Sequence, residues 1–504
     1  MRARYQRGPA MSGAVDRSAA GWSWRTAVSM RRAYGLVPDV ARHPVGDRLV
    51  AGAALVVAVS CWGRDVRLAG VAAVGVLLVL GRGEHRVRAA VVLVVLTVTA
   101  LVRADAAWTG LTPRTLGTYE GAMHLVDDPQ PYAGSTRVIV EIEGERFEMW
   151  ARGRAMRLRV ATWRAGESVL VLGHRRELEP ERQGRVAWQH VVGEFRTEWV
   201  SDVLPGSPVA TASNRVRAAL ERAASELPAD DGALFRGLVV GDDRDQPPDM
   251  IDRFRASGLS HLTAVSGQNV SFVLLAVAPL LRVLRPWWRW VVTLGLILWF
   301  VSLTRFEPSI VRAGTMASLS ATAFVLGRDR SPVRLLWVAV TGLLLIDPLL
   351  VRSVGFWLSV GATWGVAALG PRLARRLSTL RFLATPIGVT LGAQIGVVVP
   401  AVTVFGRLPL VSIPANLLAV PVAGFVMLYG LPAGLLAGAV PGLGPVVMLP
   451  CRIGVRWVDT VALLGARLEP GGAGTWVGWG VLMVAVCSIA AMNRGRHGSP
   501  SADG

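Results

Sequence analysis

The stretch GLSHLTAVSGQNV, residues 258–270, sets His261, Ser266, Gln268 and Asn269 at the head of an apolar block. A serine and a histidine this close suggest a nucleophile and its base. On a continuous helix, however, residues five apart differ in direction by about 140°, and no acid is at hand to orient the imidazole. Intramembrane hydrolysis is therefore the weakest reading. Two others remain. Ser266, Gly267, Gln268 and Asn269, with His261 nearby, line or constrict an aqueous path, or the Ser/Gly/Asn set is helix-packing glue. The residues alone leave both open.

Residues 146–164 form a second constellation. Arg146, Arg152, Arg154, Arg157, Arg159 and Arg164 face one acid, Glu148, with Phe147, Trp150 and Trp163 between them. Guanidinium for phosphate and aromatic faces for bases is how proteins hold single-stranded nucleic acid without sequence preference. The alternative is a solvated strand face over core tryptophans. Further charges flank later apolar blocks: Arg305, Glu307, Arg312, Asp347, Arg352 and Arg407. Arg312 is expected deepest, where a charge needs a partner, and Glu307 or Asp347 is available to pair with it or with Arg352. These charges are either packing ion pairs or a slightly basic vestibule for a polyanion. Gln394 and Asn416, polar residues within later blocks, complete the candidate lining.

The elements that position these residues are apolar. Of 504 residues, 52% are hydrophobic, and mean hydropathy is +0.44. Blocks near 49–62, 68–81, 89–102, 259–281, 289–304, 308–327, 333–350, 353–370, 382–404, 409–438, 440–466 and 473–491 recur along the chain. The expected fold is a polytopic α-helical membrane protein of about twelve transmembrane or re-entrant segments. The net charge of +19 is carried by arginine alone, since the chain has no lysine. A P-loop ATPase needs its lysine, so that class is excluded. Three cysteines and seven histidines, with no HxH or HExxH pattern, suggest neither disulfides, metal nor another cofactor.

Arginines between blocks orient the chain. Arg82, Arg86 and Arg88, then Arg282, Arg285 and Arg289, Arg328, Arg330 and Arg334, Arg372, Arg375, Arg376 and Arg381, and finally Arg494 and Arg496 all fall on one side. The positive-inside rule makes that side cytoplasmic, with both termini. The expected organisation is a basic, uncleaved cytoplasmic tail (1–48), three transmembrane helices (49–102) and an extracytoplasmic β domain (103–205). An amphipathic helix and linker (206–257), a membrane domain (258–491) and a short cytoplasmic tail (492–504) follow. Within 116–200 the runs TRVIVEIE, RFEMWA, MRLRVAT, ESVLVLG and RVAWQHVVGEF alternate as strands of a small barrel or sandwich.

From residue 231 the chain resembles the competence domain of the ComEC family, inner-membrane DNA uptake channels. The resemblance rests on FRGLVVGDD (235–243), FRASGLSHLTAVSGQNV (254–270), EPSIVRAGTMA (307–317), LLIDPLLVRSVGFWLSVGAT (344–363) and IPANLLAVP (413–421), in that order. It implies that the β segment is OB-like and that the chain passes single-stranded DNA inward, without catalysis of its own. It favours the lining reading for the opening stretch. It also implies a cytoplasmic helicase-like ATPase, an extracytoplasmic DNA receptor and the lipid bilayer as partners, and leaves a homo-oligomer open. Many family members have a histidine where this chain has Asn269, so no imidazole role transfers. The family's metallo-β-lactamase-like domain has no counterpart here, since HxHxDH is absent, and a separate nuclease is expected. A transporter of another polyanion or small solute on the same bundle is the alternative.

Overall fold

The computed structural model describes residues 44–496, apart from 64–65, 81–85, 133, 264–266, 329–330 and 441. Most of the expected basic tail, the residues after Arg496, and Arg82, Arg330 and Ser266 lie outside the described residues. Three apolar helices come first: α1 (Pro44–Gly63), α2 (Val66–Leu80) and α3 (Arg86–Thr109). Val56, Ala73, Val76 and Leu93 interlock them.

A six-stranded sheet follows, with β1 (Gly117–Leu125), β2 (Gln130–Tyr132), β3 (Ser135–Ile142), β4 (Glu145–Ala151), β5 (Ser168–Glu177) and β6 (Val191–Leu204). Its order is β1-β5-β6-β4-β3-β2, and β1 also pairs with β3, which closes it. Only β4 and β6 run parallel. Alternation turns Met123, Val140, Phe147, Met149, Val171 and Phe195 inward to one core.

One expected strand, and the first half of another whose second half is β6, are helical instead. Residues 156–162 belong largely to α4 (Arg154–Val160), because Gly153, at φ 77°, ends β4. Met156 and Val160 then reach the barrel core four residues apart, the spacing of one helix face. Arg185–Gln189 spans the end of α5 (Pro180–Val186) and a 3₁₀ turn.

The expected amphipathic helix is α6 (Pro208–Ala224), and the stretch after it holds two more packed helices, α7 (Ala229–Val240) and α8 (Pro248–Ala256). Ser207 caps α6, its Oγ accepting from the Ala210 amide at 3.3 Å. Leu220, Phe235, Leu238 and Phe254 enter the same core as the membrane helices.

That bundle runs α9 (Ser260–Thr263), α10 (Gly267–Leu281), α11 (Pro286–Leu303), α12 (Pro308–Val325), α13 (Pro332–Ile346) and α14 (Val354–Trp364). It continues with α15 (Gly370–Arg376), α16 (Ala384–Phe405), α17 (Ser412–Ala439), α18 (Gly444–Val447), α19 (Leu449–Leu468) and α20 (Gly472–Arg496). A π segment, Gly365–Leu369, joins α14 to α15. There α16 packs backbone to backbone: a Cβ on Gly392 would lie 2.6 Å from the Gly365 carbonyl oxygen. Among the described residues six helices are long and apolar enough to cross a membrane: Val87–Thr109, Pro286–Leu303, Val354–Arg376, Ser378–Phe405, Ser412–Ala439 and Gly472–Ile489. The chain is a multi-pass helical membrane protein with a small sheet domain.

Candidate functional site

The turn from α11 to α12 is the most constrained backbone near the sheet. Arg305 and Phe306 are consecutive non-glycine residues in the left-handed region, at φ 59° and 57°. Such residues persist only where their surroundings hold them. Here the hold is electrostatic. The Arg305 Nη2 donates to Asp128 Oδ1 at 3.0 Å and to Asn214 Oδ1 at 2.7 Å, and its Nε donates to Asp128 Oδ2 at 3.2 Å.

Asp128, in the β1–β2 loop, gathers more than Arg305. It accepts the Ala165 amide at 2.9 Å and pairs with Arg217 of α6 at 3.0 Å. Arg217 also approaches Asp242 at 3.5 Å, Arg244 binds Asp242 at 2.7 Å, and Glu221 links Arg244 to Arg164. Asp128, Arg217 and Asp242 are all buried. Burial would raise the Asp128 carboxyl, but Arg217 and Arg305 hold it down at about 2. The network ties the sheet loop, α6, the α7–α8 loop and the α11–α12 turn together. Sequence reading missed it, although the acid pairs in VDDP and VGDD mark both of its anionic ends.

Beside this network lies a carboxylate of a different character. Glu307, next to the strained turn, is reached by solvent yet walled by protein. Burial, then the charges of Asp127 and Asp243, push its carboxyl up to about 7. Burial and Asp128 likewise push Asp127 up to about 6, against Arg146, Arg137 and Arg305. Since the folded value of Glu307 exceeds its ordinary one, ionisation costs the folded state. The Glu307 contribution to stability should be greatest below its ordinary value of 4.5 and be lost as pH rises from there through about 7. Glu307→Gln is expected to flatten the fall between about pH 4.5 and 7 in detergent melting curves and to melt above the parent at pH 8. Parallel curves for parent and variant would refute the linkage.

The predicted lining residues divide. His261, on α9, is open to solvent while surrounded by protein, and Gln268 is exposed at the start of α10. Gly267 packs against α12; a Cβ there would fall 2.8 Å from the Ala313 Cβ and 2.9 Å from an Arg312 nitrogen. Asn269 is only 2% exposed, and its Nδ2 donates to the Leu238 carbonyl of α7 at 3.4 Å. In this structure it joins two helices. Arg312, 4% exposed, gives its guanidinium to Ser359 Oγ of α14 at 2.7 and 2.9 Å. The carboxylate expected beside it is elsewhere. Asp347 accepts the Leu349 amide at 3.1 Å and meets His190 Nε2 of the sheet domain at 3.0 Å. Gln394 donates to Ser412 Oγ at 2.8 Å. Asn416 Oδ1 is buried without a hydrogen-bond partner among the described residues.

The arginine-rich segment is also split. Trp163 is fully buried in the barrel core and has no face free for a base. Arg164 binds Glu221 through two bonds of 2.5 Å, Arg159 meets Asp202 at 3.3 Å, and Arg146 donates to the Gln189 carbonyl at 3.2 Å. Arg152, Arg154 and Arg157 remain exposed. Trp150 is half-buried, with Tyr132 edge-on at 5.8 Å and the Arg182 guanidinium 5.0 Å above its ring. Arg137 and Arg182, unmarked in the sequence, both bind Glu148. Among the described residues no group of acids, histidines and cysteines could hold a metal.

Comparison with known proteins places this arrangement. The chain is 33% identical over 199 residues to competence protein ComA of Neisseria gonorrhoeae, covering 37% of this chain and 28% of that protein. It is 29% identical over 206 residues to the uncharacterized protein YcaI of Escherichia coli strain K12, covering 37% and 27%. The chain thus matches less than a third of either relative's length. No solved structure matches. The family model described as competence protein matches residues 238–495, from the last turn of α7 to the end of the bundle. With more than half its length inside that match, the chain belongs to the ComEC-type competence protein family.

Proposed function

We propose that this protein is an inner-membrane channel that passes single-stranded DNA into the cytoplasm during transformation. The observation that carries this reading is the family match across the whole bundle, 238–495. The name of the Neisseria relative, a competence protein, supports it. The sheet supports an OB-like reading. It is closed, its one parallel pair joins β4 to β6, and a helix lies between β4 and β5. OB barrels bind strands through the sheet face and adjoining loops. On that face Trp150, Tyr132 and Arg182 offer stacking surface and charge, and exposed Arg152, Arg154 and Arg157 extend it. His261, Gln268 and Glu307 are the solvent-reached side chains of the conduit, with Arg312 behind them.

About twelve segments, with both termini cytoplasmic, satisfy the arginine distribution. The chain has no P-loop lysine, so a cytoplasmic helicase-like ATPase supplies the work. A receptor outside delivers the duplex and a separate nuclease removes the second strand. Near Asp127 and Asp243, Glu307 with its value of about 7 is partly protonated at neutral pH, which lowers the negative charge met by a polyanion there.

Deleting the gene should stop the entry of fluorescent DNA into the cytoplasm while extracytoplasmic capture continues, and plasmid-borne wild type should restore it. Undiminished cytoplasmic entry in the deletion strain would overturn the proposal.

A further inference from the structure

The turn between α10 and α11 combines charge and exposed apolar surface in a way the channel reading does not use. Its sequence, LLRVLRPWWRW (280–290), holds three arginines and three tryptophans, and no acid occurs between Ala278 and Phe300. The apolar side chains point outward: Leu280 is 71% exposed, Val283 85%, Trp287 58% and Trp288 59%. Arg282 and Arg285 are exposed beside them.

Side chains behind the turn fix its shape. Trp290 donates its indole N–H to Thr322 Oγ1 of α12 at 3.0 Å, and Trp287 packs on Trp290 with ring centres 4.8 Å apart. The Arg289 guanidinium lies 5.6 Å from the Phe324 ring. A pre-formed ledge results, with tryptophans on the flank of a candidate membrane span, Pro286–Leu303, and arginines at its end.

We infer that this ledge binds the headgroups of anionic phospholipids. The chemistry is specific in two ways. Tryptophan favours the boundary between headgroups and hydrocarbon. Each arginine near an anionic leaflet favours it by roughly 1 kcal/mol, about fivefold in association. The exposed apolar residues are continuous with a lipid-facing helix flank, which fits a lipid better than a soluble polyanion. Arg285 and Arg289 bind phosphate, and Val283, Trp287 and Trp288 seat the upper acyl chains. The inference does not depend on the transported substrate.

A dye at Val283→Cys in the full-length protein reports on the ledge. Cys61 and Cys451 are buried, so only the exposed Cys487 needs replacement, by Cys487→Ser. In bilayer discs with equal total lipid, brominated phosphatidylglycerol should quench the dye several-fold more than brominated phosphatidylcholine at low salt. Arg285→Gln with Arg289→Gln should bring the ratio close to one while the disc-embedded protein keeps its helical circular dichroism. If that pair fails to fold, Arg285→Gln alone should bring the ratio part of the way towards one. Equal quenching by both lipids in the parent would overturn the site. So would a single-stranded oligonucleotide that relieves phosphatidylglycerol quenching at stoichiometric concentration, since the ledge would then be a nucleic-acid surface.

Discussion

Asp128→Ala is expected to leave little folded protein in the membrane. The substitution removes the acceptor of the Ala165 amide and the counter-charge of two arginines at once. Arg217 is buried and Arg305 nearly so, and water cannot replace the lost carboxylate at either. Breaking a buried pair from one side costs about 3–5 kcal/mol, a large part of a typical stability of roughly 5–15 kcal/mol. The double replacement Asp128→Ala with Arg305→Met should recover part of the loss, because one stranded charge is removed and Arg217 keeps Asp242 at 3.5 Å. Thermal unfolding in detergent measures both, and strictly additive losses would show that the network is not coupled. The pH dependence has a definite sign. With its folded value held at about 2, below the ordinary carboxyl value of 3.8, Asp128 stabilises fully above that ordinary value. Its contribution is lost as pH falls towards 2. This is opposite to Glu307, which destabilises as pH rises.

His261→Trp and Gln268→Trp are expected to reduce cytoplasmic DNA entry to the level of the deletion strain, with normal amounts of folded protein. Both side chains are open to solvent, so added indole volume extends to the open side rather than into the helix interface. Asn269→Leu provides the contrast. Its amide joins α10 to α7, and interhelical hydrogen bonds of this kind contribute about 0.6 kcal/mol on average in membranes. That variant should melt slightly lower and lose uptake only in step with its abundance. The proposed route fails if the tryptophan variants transport normally while Asn269→Leu, at full abundance, does not.

Much of this protein was readable without coordinates. Every apolar block contains a helix, because hydropathy over a span is a local sum that needs no knowledge of neighbours. Alternation in TRVIVEIE (136–143) and RFEMWA (146–151) pointed to β3 and β4 for the same reason. The five ordered motifs of 235–421 pointed to the family that the match at 238–495 establishes. Alternation misled over 156–162, where M-R-L-R-V satisfies strand and helix equally. The left-handed Gly153 and the need to cover the barrel with Met156 and Val160 made it α4.

Tertiary structure alone decided what the polar residues do. Whether Trp163 stacks on a base or fills a core depends on which way the chain turns after Gly153. Arg164 and Glu221 are 57 positions apart, Arg305 and Asp128 177, and His190 and Asp347 157. No local pattern encodes such partners. A guanidinium in sequence is only a charge; burial and a carboxylate from a distant element make it a tie between domains. The types and numbers of charges were therefore legible in the sequence. Their pairing, and with it the distinction between Asn269 as a tie and His261 and Gln268 as open groups, came from the packing that brings remote segments within hydrogen-bonding distance.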